Sequence, residues 1–156
     1  MSVVEKTIEK LKQEFKESIL DIIEFRGETT IKVKKEDIVK ISKFLHDDPE
    51  LSYDYLSDVV GVDYLGRKPR FEVVYHLYSI KNNTRLRLKV GVDEKNAQVE
   101  TVTTVWKSAN WPERESYDLF GIKFKNHPDL RRILLPDEWK GHPLRKDYPL
   151  KGDDKC

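Results

Sequence analysis

The residues best equipped for chemistry lie in one short run. Between positions 111 and 121 the chain reads Trp-Pro-Glu-Arg-Glu-Ser-Tyr-Asp-Leu-Phe-Gly, which sets three carboxylates, Glu113, Glu115 and Asp118, within six residues. Paired carboxyl groups act as general acid and base when one is held neutral and the other charged, as in glycoside hydrolysis. Nothing in the spacing fixes their separation or depth. Pro112 near a first helical position, acids in a first turn and Gly121 at a stop equally describe a surface helix whose acids complement its dipole. The expectation is a short surface helix, with Arg114 and Asp118 four apart and able to pair on one face.

Two histidines follow, each standing before a proline: His127-Pro128-Asp129-Leu130-Arg131-Arg132 and His142-Pro143-Leu144-Arg145-Lys146. A zinc site wants further His, Cys or acid ligands at close spacing, and the i, i+4 pairing of helical zinc motifs is missing, so metal binding is not expected. The residue before proline is driven to extended geometry, which leaves each imidazole free to bond a carbonyl or carboxylate and so orient the chain. The basic pairs that follow suit carboxylates on a partner, or phosphate. Arg85, Arg87 and Lys89 alternate with Leu86, Leu88 and Val90. With few aromatics beside them they read as the solvated face of a half-buried strand rather than an RNA platform. Neither a Gly-rich phosphate loop, a dinucleotide fingerprint, a nucleophile elbow nor a cysteine cluster occurs, so no cofactor is expected on this chain.

The elements that must position these residues follow from periodicity. Val4, Ile8, Leu11, Phe15 and Ile19 recur at helical spacing and predict an amphipathic helix over about 3–18. Thr29 to Val33 reads as a strand, and Ile38, Ile41, Phe44 and Leu45 as the apolar stripe of a second helix. Stretches 53–64, 71–80 and 84–92 are rich in Tyr, Val, Leu and Phe and are separated by turn residues, which predicts an antiparallel meander, with a further short strand near 98–104. The fold class is therefore α+β: a two-layer domain over 1–125, with two to three helices against a mostly antiparallel sheet of about four strands. From 126 to 156 four prolines, at 128, 136, 143 and 149, forbid a long helix or a central strand. Yet Leu130, Ile133, Leu134, Leu135, Trp139, Leu144, Tyr148 and Leu150 are more apolar material than a solvating tail holds. An extended partner-binding arm over 126–156, laid over a surface of another chain, is the expectation.

Composition bounds the rest. One domain of 156 residues buries enough surface to need no staple. The lone Cys156 excludes an internal disulfide and suits a reducing compartment. The charged opening MSVVEKTIEK and the short apolar runs argue against a cleaved signal or a membrane span, which favours the cytosol. With 29 Lys and Arg against 28 Asp and Glu, there is no general pull toward nucleic acid or anionic lipid. Twenty Lys and 14 Glu give a composition of the kind found in proteins that work hot.

Taken together, three runs resemble a known signature. They are Glu113-Arg114-Glu115-Ser116-Tyr117-Asp118-Leu119-Phe120-Gly121-Ile122, His127-Pro128-Asp129-Leu130-Arg131-Arg132-Ile133-Leu134 and Gly141-His142-Pro143-Leu144-Arg145-Lys146-Asp147-Tyr148-Pro149-Leu150. In this order they resemble the NuoC family of NADH:quinone oxidoreductase, respiratory complex I. The resemblance implies a non-catalytic structural subunit of the peripheral arm of a proton-translocating enzyme, binding no flavin, iron-sulfur cluster or quinone. It further implies docking on the large NuoD-like subunit next to the quinone site, with iron-sulfur subunits as neighbours. The membrane is reached only indirectly, at its cytoplasmic face, through the complex. On this implication the partner-binding residues are Glu113, Arg114, Glu115, Asp118, Phe120, Gly121, His127, Pro128, Leu130, Arg131, Arg132, Gly141, His142, Pro143, Leu144, Arg145, Lys146, Asp147 and Pro149. The run Leu135-Pro136-Asp137-Glu138-Trp139 departs from the family's usual turn. The equivalent subunit of a membrane-bound hydrogenase, a formate hydrogenlyase or a dehydrogenase fed by reduced deazaflavin or ferredoxin is therefore the alternative. An independent hydrolase and an RNA-binding module are the other classes.

Overall fold

A computed structural model describes residues 1–151; Cys156 and the end of the expected arm lie outside them. Helix α1 spans Val3–Glu14 and opens on a capping box: Glu5 N–H donates to the Ser2 hydroxyl at 3.2 Å, and Ser2 N–H donates to the Glu5 carboxylate at 2.7 Å. The helix ends four residues short of the expected 18, because Phe15 leaves helical geometry and a single 3₁₀ turn, Lys16–Ser18, leads into strand β1, Ile19–Phe25. Arg26 and Gly27, at φ +52° and +76°, are two successive left-handed residues that turn β1 back into β2, Glu28–Val33. The other elements are α2 (Ile38–Asp47), β3 (Tyr55–Asp63), β4 (Phe71–Ser79), β5 (Thr84–Val92), β6 (Gln98–Glu100), α3 (Asn110–Phe120) and β7 (Lys123–Lys125).

The main sheet runs β1-β2-β5-β4-β3 and is antiparallel except where β2 lies parallel to β5. Its fifth strand is β1, whose Ile19 had extended the helical stripe of α1 in the sequence pattern. A second, two-stranded parallel sheet joins β6 to β7. Alternation along β4 and β5 buries Phe71, Val73, Tyr75, Leu77, Leu86, Leu88, Val90 and Val92 beneath the helices, against Leu11, Ile38, Ile41 and Leu45. Each such aliphatic side chain contributes about 1.5–3 kcal/mol of transfer free energy.

The opposite face carries Arg85, Arg87 and Lys89, as the alternation predicts. Its charge is answered within the chain: Arg87 meets Glu28 at 2.5 Å, and Glu72 lies between Lys32 and Lys89 at 3.5 and 3.6 Å. Among the described residues no helix is long and apolar enough to cross a membrane.

Candidate functional site

Helix α3 packs on the covered face of β3 so closely that a Cβ on Gly61 would meet the Phe120 ring at 2.6 Å. It stops at Gly121, whose φ of +75° suits glycine and whose N–H donates to Tyr117 C=O at 2.8 Å. The helix is not a surface helix of solvated acids. Glu113 and Asp118 are fully buried, and only Glu115 is exposed.

Glu113 accepts the Val102 N–H at 2.8 Å and the Thr101 hydroxyl at 2.5 Å, with His127 Nε2 at 3.8 Å. Burial pushes its pKa up to about 7, against the opposing pull of those two donors. Among the described residues the buried Tyr75 hydroxyl has no hydrogen-bond partner. Burial, and then the charge of Glu113, push the Tyr75 pKa well up.

Asp118 has the opposite environment. One oxygen meets Arg132 at 2.7 Å; the other accepts the N–H groups of Ile133, Leu134 and Leu135 at 3.1, 2.8 and 3.0 Å. Burial works against the charge, but Arg132 and the three N–H groups outweigh it and hold the carboxyl below its ordinary range. Arg114 does not pair with Asp118 as the spacing predicted, since the carboxylate is already filled. It donates instead to the carbonyls of Arg131 and Arg132 at 3.1 and 3.0 Å.

Residues 126–151, the strap, contain no helix or strand. Their polar contacts run to their own chain. Arg132 also donates to the carbonyls of Trp139 and Gly141, both at 2.9 Å. His142 Nδ1 donates to Asp118 C=O at 2.9 Å, and Leu144 N–H donates to Leu119 C=O at 3.1 Å. Arg145 donates to Phe120 C=O at 2.7 Å and lies over the Phe71 ring, 5.0 Å from its centroid. Burial, then the charge of Arg70, lower the Arg145 pKa. At the start of the strap, His127 Nε2 donates to Asn110 C=O at 2.9 Å while Nδ1 accepts the Asp129 N–H at 3.0 Å.

A second buried clasp closes the far end. Arg70 grips Asp63 through two bonds of 2.9 Å and reaches Glu94 at 2.6 Å and Asp147 at 2.7 Å. Lys146 N–H donates to Asp63 at 2.8 Å. The Arg70 bonds hold the Asp63 carboxyl low despite its burial.

The structure thus brings together Arg114, Asp118, Phe120, Gly121, Arg132, Gly141, His142, Arg145 and Asp147. Leu130 is half-buried against the core. Arg131 pairs with its neighbour Asp129 at the surface. Pro128, Leu144, Pro149 and the body of Lys146 face solvent, with Pro143 half-buried. Arg132 and Arg145, read from the sequence as ligands for a partner's carboxylates, also have acceptors within their own chain, the Asp118 carboxylate and the Phe120 carbonyl. Sequence reasoning missed Asp63, Arg70, Glu94 and Thr101. The available signal was Asp63 itself, an acid two residues beyond Gly61 on the covered register of β3.

Glu115 flanks a groove of about 540 Å³ between α3 and the strap, lined by Trp111, Pro112, Ile133 and Leu134 with Lys107 at its rim. Glu113 and Asp118 do not line it. Their lone pairs are occupied by their own chain, so the geometry of acid and base around a substrate is not formed. Among the described residues no cluster of three His, Cys, Asp or Glu is placed to hold a metal.

A mixed five-stranded sheet under three helices defines an α+β module seen in solved proteins. Nqo5, in its trypsin-resistant fragment (1-134), superposes with a TM-score of 0.70 at 34% identity, over 82% of this chain and 99% of that one. A chain of the membrane-bound sulfane sulfur reductase, an archaeal respiratory membrane complex, gives a TM-score of 0.77 at 19% identity over 94% of this chain and 86% of that one, which shows the fold alone. The chain belongs to the family described as "Respiratory-chain NADH dehydrogenase, 30 Kd subunit", whose model matches residues 31–154. The NADH-quinone oxidoreductase C chain of Geotalea uraniireducens is 60% identical over 94% of this chain and 88% of that protein. Its counterparts of the same name in Geobacter sulfurreducens and Roseiflexus sp. RS-1 are 58% and 52% identical, each over 94% of this chain and over 90% and 84% of their own lengths.

Proposed function

We propose that this chain is the non-catalytic structural subunit of the peripheral arm of a proton-translocating NADH:quinone oxidoreductase. It docks through the strap and the start of α3 on the large NuoD-like subunit beside the quinone site, next to iron-sulfur subunits and at the cytoplasmic face of the membrane. The observation that carries this reading is the mismatch between a rigidly held strap and what it displays. Its backbone is bonded to buried Asp118, while Leu134 is 62% and neighbouring Trp111 70% exposed, with Leu144 and Leu150 also bare. Apolar anchors fixed in advance lose little conformational entropy on association, and aromatic anchors seated in a partner dominate binding energy. Asp118, Gly121, Arg132, His142 and Arg145 shape the strap in this reading, while Trp111, Arg131, Leu134, Leu144 and Lys146 touch the partner.

The double variant Trp111→Asp with Leu134→Asp tests it. The thermal midpoint of the isolated chain is expected to stay within a few degrees, while the subunit is lost from the purified complex and NADH oxidation coupled to quinone falls with it. Full retention of the variant in an active complex would overturn the proposal. Copurification discriminates the sister enzymes: a flavoprotein that oxidises NADH supports this reading, and a nickel-iron subunit replaces it with the hydrogenase alternative.

A further inference from the structure

The two edges of the main sheet are finished differently. At the β3 edge α3 lies alongside, and the hydroxyls of Ser108 and Ser116 donate to the carbonyls of Leu56 and Val59 at 3.0 and 3.3 Å. At the β1 edge the one side-chain bond to the strand's backbone among the described residues is local, from Ile22 N–H to Asp21 at 2.9 Å. Natural edge strands are blunted by charged side chains, above all Lys, by Pro, by β-bulges, by covering elements or by being very short. Strand β1, Ile-Leu-Asp-Ile-Ile-Glu-Phe, has seven residues and neither Lys nor Pro, with a single irregularity between Ile19 and Asp21. Leu20 and Phe25 are 61% and 66% exposed. Ile23 and Phe25 pair with Thr30 and Glu28, and Thr30 pairs with Arg87, so both project from the face that the helices leave open. Among the described residues the Arg26 guanidinium lies over the Phe25 ring, 5.1 Å from its centroid.

We propose that β1 is completed in the assembled enzyme by an extended, cationic segment of a neighbouring subunit, which adds as a sixth strand and covers Leu20, Ile23 and Phe25 at its flank. Charge selects this occupant. Asp21 and Glu24 take part in no ion pair among the described residues, and β1 contains no cation. A second copy pairing through the same edge would bring four carboxylates and no cation from the two β1 strands to one junction, which like-charge repulsion disfavours. A Lys- or Arg-bearing strand answers them and supplies the missing backbone partners.

This inference rests on the reading of the chain as a subunit of a larger complex, but not on docking through the strap. Hydrogen exchange read by mass spectrometry compares the purified wild-type complex, the isolated chain at several concentrations, and both again with Asp21→Lys and Glu24→Lys combined. Exchange over residues 20–24 is expected to slow at least ten-fold in the complex, to be independent of concentration in the isolated chain, and to lose its protection in the charge-reversed complex. A complex that contains the chain with residues 20–24 exchanging as fast as in the isolated chain would sink this proposal alone. Protection that grows with concentration in the isolated chain would replace the cationic segment by a second copy. Failure of the chain to copurify with any other subunit would remove this inference together with the reading beneath it.

Discussion

At the scale of single residues, two carboxylates five positions apart on one helix are held in opposite ways, and pH should separate them. Glu113 titrates near 4.5 when unfolded and near 7 when folded, because burial disfavours its charge. A raised carboxyl pKa stabilises the fold fully below the unfolded value, and that contribution is lost as pH rises through the folded one. At ~1.4 kcal/mol per unit the rise from 4.5 to about 7 corresponds to about 3 kcal/mol. The thermal midpoint is therefore expected to fall between pH 5 and 8, and Glu113→Gln, neutral throughout, should flatten that fall; a parallel pH profile would show that Glu113 stays charged in the fold. Asp118 and Asp63 act with the other sign. Their depressed pKa values stabilise the fold above about 3.8, and this is lost as pH falls further. Replacing Asp118 by Asn strands Arg132 and weakens the acceptor of three N–H groups, at a cost of about 3–5 kcal/mol for a broken buried pair. Calorimetry should register a drop of many degrees, and trypsin should reach Lys140 and Arg145 sooner than in the unaltered chain.

At the scale of elements, α3 organises the site from both ends. Its stop at Gly121 does more than end a helix, because a Cβ there would lie 2.6 Å from both Arg145 and His142. Gly121→Ala combines a left-handed backbone, which costs an L-residue about 1–2 kcal/mol, with displacement of the strap. Denaturant titration should show that loss, and exchange should quicken over 142–146 while the sheet stays protected; an unchanged strap would mean that Arg145 and His142 do not depend on this close approach. Gly61→Ala probes the other contact of α3, where the Phe120 ring leaves no room; overpacking of this kind costs about 1–3 kcal/mol.

For the whole molecule, the question is whether body and strap are one folding unit. We propose that residues 1–125 form a unit able to keep its sheet without the strap, although less stably than the full chain. Removing 126–156 takes Arg132 and three N–H groups from Asp118, and Asp147 and the Lys146 N–H from the Arg70–Asp63 clasp. Circular dichroism should retain the signature of the sheet with a lower midpoint. Complete loss of that signal would make the strap part of the core rather than an appendage.

What was legible in the sequence was local. The ends of α3 were marked by Pro112 and Gly121, the open face of β5 by strict alternation of Arg85, Arg87 and Lys89 with aliphatics, and the lack of helix and strand over 126–151 by its prolines, because each of these signals lies within a few residues of its effect. Strand β1 was hidden by the same logic: Ile19 continues the helical spacing of α1, and only pairing with β2 decides that it is extended. The parallel contact of β2 with β5, the depth of Glu113 and Asp118, and the partners of Arg132 and Arg145 were decided by the tertiary structure. A carboxylate becomes a buried anchor rather than a solvated acid only when a segment from elsewhere brings the donors that satisfy it. For Asp118 those donors come from residues 132–135, beyond the end of its own helix.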